Sequence, residues 1–129
     1  MAYNYVDEWA KYLRSKWGID SAFSPTAAKV YLYLYIYGAN PIITSGYRSI
    51  EKQAQLVEAY KKGTPGILTP NPPGKSLHNR TDWLGRPASW AIDIDHDNNQ
   101  IAKAIAKYLG IFWAGEKDWV HFAVRGGYL

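Results

Sequence analysis

The sequence predicts an α+β domain in which helices pack around a small, mostly antiparallel sheet. Two observations lead to this prediction: segments with helix-end signals are interspersed with short runs rich in β-branched and aromatic residues, and no repeat or domain linker divides the 129 residues. Hydrophobic residues make up 47% of the chain, enough to build one core, so we expect a single domain over residues 1–129.

The first predicted helix covers residues 4–17. Asn4 can cap its start, and Gly18 follows as a left-handed stop. Apolar residues recur at spacings of three and four, which predicts that they face the core: Tyr5, Trp9, Tyr12 and Leu13.

The next segment carries two conflicting signals. Tyrosine alternates with aliphatic residues over 31–37, which by itself favours a strand. Ser24 as a cap, Pro25 at the first helical position and Gly38 as a stop favour a helix. We predict a largely buried helix over residues 25–37.

The middle of the chain should contain a strand, a helix and a long loop. Residues 41–45 are rich in β-branched side chains, and after a turn a helix is predicted over 50–62. One face of that helix should carry an apolar row of Ile50, Ala54, Val57 and Tyr60. Residues 64–86 are rich in proline and glycine and show little periodicity. A loop of this length in a compact domain is usually functional or disordered.

The last third returns to short strands around one helix. Strands are predicted over residues 90–95, 111–113 and 119–124. Between the first two, Asn98 caps a helix that ends at Leu109 before Gly110. Its apolar stripe is predicted to contain Ile101, Ala104, Ile105, Tyr108 and Leu109.

Charge and hydropathy exclude several classes of protein. The net charge is +4 and is spread along the chain, which does not favour specific nucleic-acid binding but suits an anionic polymer such as bacterial cell wall. No window approaches the roughly 20 apolar residues of a membrane span, so we expect no membrane span. The first residues lack a basic segment followed by an apolar run, so we expect no signal peptide.

Any metal site must use histidine and carboxylate, because the chain has no cysteine and only three histidines. His78 lies in the long loop, His96 just before a helix cap and His121 in a terminal strand. A single histidine more often has an ordinary core or surface role. Asp93 and Asp95 lie two apart in a strand and so face the same way. Burying two carboxylates on one face costs free energy unless they form ion pairs or bind a metal. The alternative is that both lie at the solvent-exposed end of the strand.

Two further residues could take part in chemistry. Asp118 precedes His121 by three positions, where it could deprotonate an attacking water and pass the proton to a leaving amine. It could equally be a turn residue between strands. Arg48 lies at a strand-to-helix turn, where a guanidinium can hold a carboxylate or an oxyanion, or bridge to a nearby acid.

Three blocks together resemble one family. They are Ser-Gly-Tyr-Arg-Ser at 45–49 with Gln53 and Leu56, then Gly-Thr-Pro-Gly at 63–66 and Gly-Lys-Ser-Leu-His-Asn at 74–79 with Ala-Ile-Asp at 91–93, and finally Asp-Trp-Val-His-Phe at 118–122. In this order they resemble the zinc peptidases of bacterial cell walls. These include D-Ala-D-Ala carboxypeptidases and L-alanyl-D-glutamate endopeptidases, among them phage endolysins, and their fold is shared by the hedgehog signalling domain. The resemblance covers residues 42–124.

The resemblance implies a role for each matching residue. His78, Asp93 and His121 would bind Zn²⁺, with Asp93 preferred over Asp95 because it completes Ala-Ile-Asp. Asp118 would be the general base and acid, and Arg48 would bind substrate or steady the oxyanion. The residues expected to contact or support the substrate are Arg48, Gln53, Ser76 and Trp119.

The main departure from the family pattern is the connection between the first two implied ligands. Fourteen residues, 79–92, separate His78 from Asp93, and family members usually have fewer. Ser89 also replaces a usual glycine, and Ala123 stands where Glu or Gln is frequent. We expect the long loop to border the substrate cleft and set specificity.

The function implied is zinc-dependent hydrolysis of a peptidoglycan stem-peptide bond, most consistent with an L-Ala-D-Glu endopeptidase of the endolysin type. The alternatives are a D-Ala-D-Ala carboxypeptidase and a non-catalytic wall-binding or phage structural module on the same fold. The expected partner is the stem peptide, and the protein is expected to be a monomer. It would be made in the host cytoplasm and reach the wall after release, or be carried on a phage particle.

Overall fold

The computed structural model describes residues 4–129 and has the predicted α+β architecture. Its helices and strands are, in chain order, α1 (Tyr5–Trp17), α2 (Ser24–Ile36), β1 (Ile42–Ser45), α3 (Ile50–Lys61), β2 (Ala91–Asp95), α4 (Asn99–Leu109), β3 (Phe112–Trp113) and β4 (His121–Ala123). Short 3₁₀ turns lie at Leu77–Asn79 and Glu116–Asp118. No helix in the described range is both long and apolar enough to cross a bilayer.

The four strands form one antiparallel sheet in the order β1-β2-β4-β3. Side chains alternate between its two faces. Ile92, Ile94 and Phe122 are fully buried in the core. Asp93 and His121, opposite each other in the β2–β4 register, therefore point to the other face. The sheet thus separates an apolar core from a polar site.

The core lies between this sheet and three helices. α1 packs along α2, and α2 contacts α4. The buried helical residues fall at helical spacings: Ala10, Leu13, Ala27, Ala28, Val30, Leu34, Ala102 and Ile105. Burial of these apolar side chains provides the main stabilisation of the fold.

The helix ends follow local signals. Asn4 accepts a hydrogen bond from the Asp7 amide, Asn98 accepts one from the Ile101 amide, and Gly18 and Gly110 adopt left-handed conformations after α1 and α4. The helix prediction for residues 25–37 is confirmed by α2. Ser24 is not its cap, however: it is buried as the first helical residue, and its hydroxyl donates to the Ser21 carbonyl.

Several predictions of burial were wrong. Tyr5, Tyr12, Tyr35, Ile36, Tyr37, Ile50, Tyr60 and Tyr108 are all more than 40% exposed, and Ala104 is exposed as well. In α2 the reason is geometric, because consecutive residues 35–37 spread around the helix and cannot share one buried face. In α4 the buried face instead contains Ala102 and Ala106, small residues that permit close packing. In α3 the buried side chain is the polar Gln53.

The strands begin and end close to the predicted positions. The largest difference is at residues 119–124, where the strand covers only His121–Ala123 because a 3₁₀ turn at Glu116–Asp118 precedes it. Apart from the turn at Leu77–Asn79, residues 64–86 contain no helix or ladder strand, as predicted.

Candidate active site

Three side chains from separate segments meet on the polar face of the sheet. His78, Asp93 and His121 offer ligand atoms that all lie within 4.8 Å of one another. Asp93 Oδ1 is 3.2 Å from His78 Nε2 and 3.2 Å from His121 Nδ1. The β2–β4 register brings Asp93 and His121 together, and the 3₁₀ turn delivers His78 from the loop.

The turn that carries His78 is tightly fixed. Ser76 Oγ accepts a hydrogen bond from the His78 amide, and Asn79 Oδ1 accepts one from the Ser76 amide. His78 is only 3% exposed, and its Nδ1 lies 2.7 Å from the Gly46 carbonyl oxygen. A carbonyl can only accept, so Nδ1 carries a proton and Nε2 faces Asp93. This is the arrangement of a metal-binding histidine held by a backbone carbonyl.

The donor set fits a zinc ion. Two imidazoles and one carboxylate are a donor combination that catalytic zinc accepts, leaving a fourth position for water or substrate. Tetrahedral zinc with bonds of about 2.05 Å places neighbouring donors roughly 3.3 Å apart. The two 3.2 Å separations around Asp93 Oδ1 match that spacing.

Asp93 is held in its charged form. Burial by itself raises the pKa of Asp93, but hydrogen bonds with His121 and His78, together with their charges, outweigh it and hold the pKa well below its ordinary value. The negative charge that a metal site requires is therefore present over the whole physiological pH range.

Arg48 connects the cluster to its surroundings. Its Nη2 lies 3.6 Å from Asp93 Oδ2 and donates to Ser45 Oγ at 3.1 Å, while Nη1 donates to Gln53 Oε1 at 2.9 Å. Asn79 Nδ2 donates to the Arg48 carbonyl at 2.7 Å, which fixes the backbone as well. The guanidinium is thus oriented from several sides beside the proposed metal ligands.

Asp118 lies in the same cleft. It ends the 3₁₀ turn Glu116–Asp118 and is half-buried. Burial raises its pKa, and the charge of Asp93 raises it further, while the charges of His121, His78 and Arg48 partly offset this effect. A carboxylate with a raised pKa next to a histidine cluster is suited to accept and return a proton.

The pKa of Asp118 in the metal-free protein is expected to exceed the ordinary 3.8 of an aspartate. The Arg48→Gln variant should raise this pKa further, because it removes a positive charge that favours the carboxylate. Carbon-13 NMR titration of the side-chain carboxyl measures both values. Arg86→Gln, in an ion pair with Asp82 on an exposed hairpin, is the matched control and should leave the Asp118 pKa unchanged. A lower pKa in Arg48→Gln would contradict this assignment.

The cleft has a volume of about 350 Å³. It is lined by Arg48, Gln53, Leu56, Gly66, Ile67, Leu68, Thr69, Pro70, Asn71, Ser76, His78, Asp93, Asp118 and His121. One wall is therefore the irregular segment 66–71, and the opposite side holds the titratable cluster.

Gln53 ties that wall to the cluster. It is 1% exposed, and both ends of its amide are used: Oε1 accepts from Arg48, and Nε2 donates to the Asn71 carbonyl at 2.7 Å. A shift of segment 66–71 would therefore disturb Arg48 and, through it, Asp93.

The Gln53→Leu variant is expected to lose about 2–4 kcal/mol of unfolding free energy, because a buried guanidinium N–H and a carbonyl would lose their partner. Chemical denaturation measures this loss. Gln55→Leu, an exposed position on the same helix, is the control and should change stability by less than about 0.5 kcal/mol. Equal effects of the two substitutions would show that the Gln53 bonds do not hold the wall.

Of the other residues predicted to act at the site, Ser76 lies in the cleft and Trp119 lies outside it. Ser76 lines the cleft and also caps the turn of His78. Trp119 does not line the cleft; its Nε1 donates to Asp95 Oδ1, and its carbonyl accepts from Trp113 Nε1. Asp95 is exposed and lies outside the cluster. The ring of His96 is bonded to the backbone of Trp119 and Asn98.

The expectation that residues 79–92 border the cleft was wrong. None of these residues lines it. Arg80 instead forms an ion pair with Asp20 at 3.0 Å and stacks over Trp90, and the Ser89 amide donates to the Gly18 carbonyl. These contacts tie the loop to the segment that follows α1, away from the cleft.

Sequence reasoning missed two supports of the site. The group that holds His78 is the backbone carbonyl of residue 46. Every residue type has this group, so the sequence could not indicate the contact. Asn79 braces both the His78 turn and Arg48. Its signal was the spacing Ser-x-x-Asn at residues 76–79, which is a capping-box pattern. The wall segment 66–71 was recognisable only as part of an unusually long loop.

Comparison with known proteins gives one informative similarity. The chain is 32% identical over 97 residues to the peptidoglycan L-alanyl-D-glutamate endopeptidase CwlK of Bacillus subtilis (strain 168). The matched region is 66% of this chain and 57% of that relative, so the chain spans just over half of the relative's length. No protein-family profile matches the chain. The similarity supports the relationship to cell-wall peptidases that the motifs indicate.

Proposed function

We propose that this protein is a zinc-dependent peptidase that hydrolyses the L-Ala–D-Glu bond of peptidoglycan stem peptides. The observation that carries the proposal is the meeting of His78, Asp93 and His121 in one cleft with Asp118. The similarity to CwlK supports the choice of bond. An endolysin-like role rests on the resemblance of residues 63–66 and 74–79 and stays a prediction.

His78, Asp93 and His121 would hold the zinc. When bound, zinc supplies Lewis-acid polarisation of the scissile carbonyl and favours deprotonation of water. Asp118 takes the proton from the attacking water and returns it to the leaving amine, a role that its raised pKa favours. Arg48 offers positive charge beside the cluster, where it can pair with a substrate carboxylate or the developing oxyanion.

Two other functions use the same fold. A D-Ala-D-Ala carboxypeptidase would cut the end of the stem peptide rather than its first bond. A non-catalytic wall-binding module would not need a proton carrier. The half-buried Asp118 beside the cluster favours catalysis over simple binding.

Digestion of purified peptidoglycan, followed by mass analysis of the fragments, tests the proposal. We expect fragments with new D-Glu amino termini, and none when a chelator is present. Release of free D-Ala would instead identify a carboxypeptidase. Binding to the wall without any cleavage would show that the protein is not a peptidase.

A further inference from the structure

A second cavity lies beside the cleft and has a volume of about 720 Å³. It is formed by the end of α1, the end of β1, the turn that follows and the start of α3. Its lining consists of Arg14, Ser15, Lys16, Trp17, Gly18, Thr44, Ser45, Gly46, Tyr47, Arg48, Lys52 and Pro87. We call it the basic groove. Arg48 lines both the basic groove and the catalytic cleft, so the two adjoin at this residue.

The basic groove is lined by four cationic residues and no acidic one: Arg14, Lys16, Arg48 and Lys52. Arg14, Lys16 and Lys52 form no ion pair within residues 4–129; Arg14 donates instead to the hydroxyl of Ser24. Their charge is therefore available to an anion in the groove.

Helix electrostatics do not account for all of this charge. Lys16 lies in the last turn of α1, where a cation complements the helix dipole. Lys52 lies in the first turn of α3, where the same dipole disfavours a cation. A ligand for the groove would offset the unfavourable position of Lys52.

The groove has a rigid floor that it shares with the metal cluster. The Tyr47 amide donates to the Trp17 carbonyl at 2.7 Å, and a Cβ atom on Gly46 would clash with that same carbonyl oxygen. The backbone of residues 46–47 is thus pressed against the end of α1. The carbonyl of Gly46 also holds His78. The segment 46–47 therefore has the groove on one side and the His78 cluster on the other.

We propose that the basic groove binds the carboxylate-bearing part of the substrate peptide that extends past Arg48 out of the cleft. The proposal rests on the proposed peptidase function. A stem peptide carries free carboxylates beyond its first bond, and these complement the positive lining. Arg48, which lines both cavities, favours the substrate itself over a separate phosphate polymer of the wall as the occupant.

The test compares two synthetic stem peptides that differ only in whether the carboxylates beyond the scissile bond are free or amidated. The zinc-loaded protein should show a KM lower by roughly threefold to tenfold for the free-carboxylate peptide. The Lys16→Gln/Lys52→Gln variant should lose this preference. Added salt should weaken it in the unaltered protein.

The matched control is Lys11→Gln/Lys62→Gln, which removes the same charge at exposed positions outside the groove and should keep the preference. A preference retained by Lys16→Gln/Lys52→Gln overturns the proposal. The proposal is also overturned if that variant loses only the binding of inorganic phosphate or of a phosphate-containing wall polymer. The groove would then serve a different anion.

Failure of the proposed peptidase function can be told apart from failure of the groove. If neither peptide is cut, calorimetric titration of both peptides into the zinc-loaded protein still tests the groove. Carboxylate-dependent binding that Lys16→Gln/Lys52→Gln loses supports the groove. Equal binding of the free and amidated peptides contradicts it.

Discussion

The His78→Ala and His121→Ala variants are expected to purify without zinc and to lose peptidoglycan cleavage. Each substitution removes one of the three proposed zinc donors, and the remaining two would not hold a catalytic zinc tightly. The His78 ring is also bonded to the Gly46 carbonyl, so the His78→Ala variant loses one of the contacts that position the turn. Metal analysis of the purified variants and the digestion assay measure the two effects, with circular dichroism to confirm folding.

Two aspartates in the same strand provide the matched control. Asp93→Asn should lose zinc, because Asp93 lies at 3.2 Å from both histidines. Asp95→Asn should retain zinc, because Asp95 is exposed and accepts a hydrogen bond from Trp119 instead. His96→Gln should also retain zinc. Equal zinc loss in Asp93→Asn and Asp95→Asn would argue against a single carboxylate ligand.

The second large effect is expected for Asp118→Asn. The variant should keep its zinc but lose turnover by about 10²-fold or more, because an amide of the same shape cannot accept the proton of water. Steady-state kinetics on a soluble stem peptide measure kcat, and metal analysis is run on the same sample.

Glu116→Gln is the control for this substitution. Glu116 lies in the same 3₁₀ turn but is exposed and does not line the cleft. It should turn over substrate at close to the unaltered rate. Normal turnover in Asp118→Asn would show that another group moves the protons.

The parts of the fold set by local chemistry could be predicted from the sequence. The side chains of Asn4 and Asn98 each accept a capping hydrogen bond from an amide three residues on, and Gly18 and Gly110 mark the helix ends by their own backbone conformation. The competition between strand and helix over residues 31–37 was decided by similar end signals. Which face of each helix is buried depends on neighbours distant in the chain, so several of the tyrosines were placed wrongly.

The candidate site likewise has parts that the sequence indicates and parts that depend on contacts between distant residues. His78, Asp93, His121 and Asp118 could be named because their motifs resemble those of a known family, and the structure brings them into one cleft. Gly46 contributes only a carbonyl, and Gln53, although it was named, acts through an unforeseen contact with the Asn71 carbonyl, 18 positions away. Contacts of this kind depend on the folded path of the chain and leave no pattern in a single sequence.

The prediction that residues 79–92 border the cleft was wrong for a related reason. Loop length suggested that the segment surrounds the substrate, since long loops often do. The deciding contact is Arg80 with Asp20, two residues 60 positions apart in the chain. Nothing in the local sequence of either residue indicates that pairing.

The central claim is that His78, Asp93 and His121 hold a zinc on which cleavage depends. Metal-free protein titrated with zinc tests it most directly, with bound zinc and stem-peptide cleavage followed on the same samples. We expect cleavage to be absent without zinc, to rise in proportion to occupancy and to level off at about one zinc per chain. Full cleavage by the metal-free protein would contradict this account.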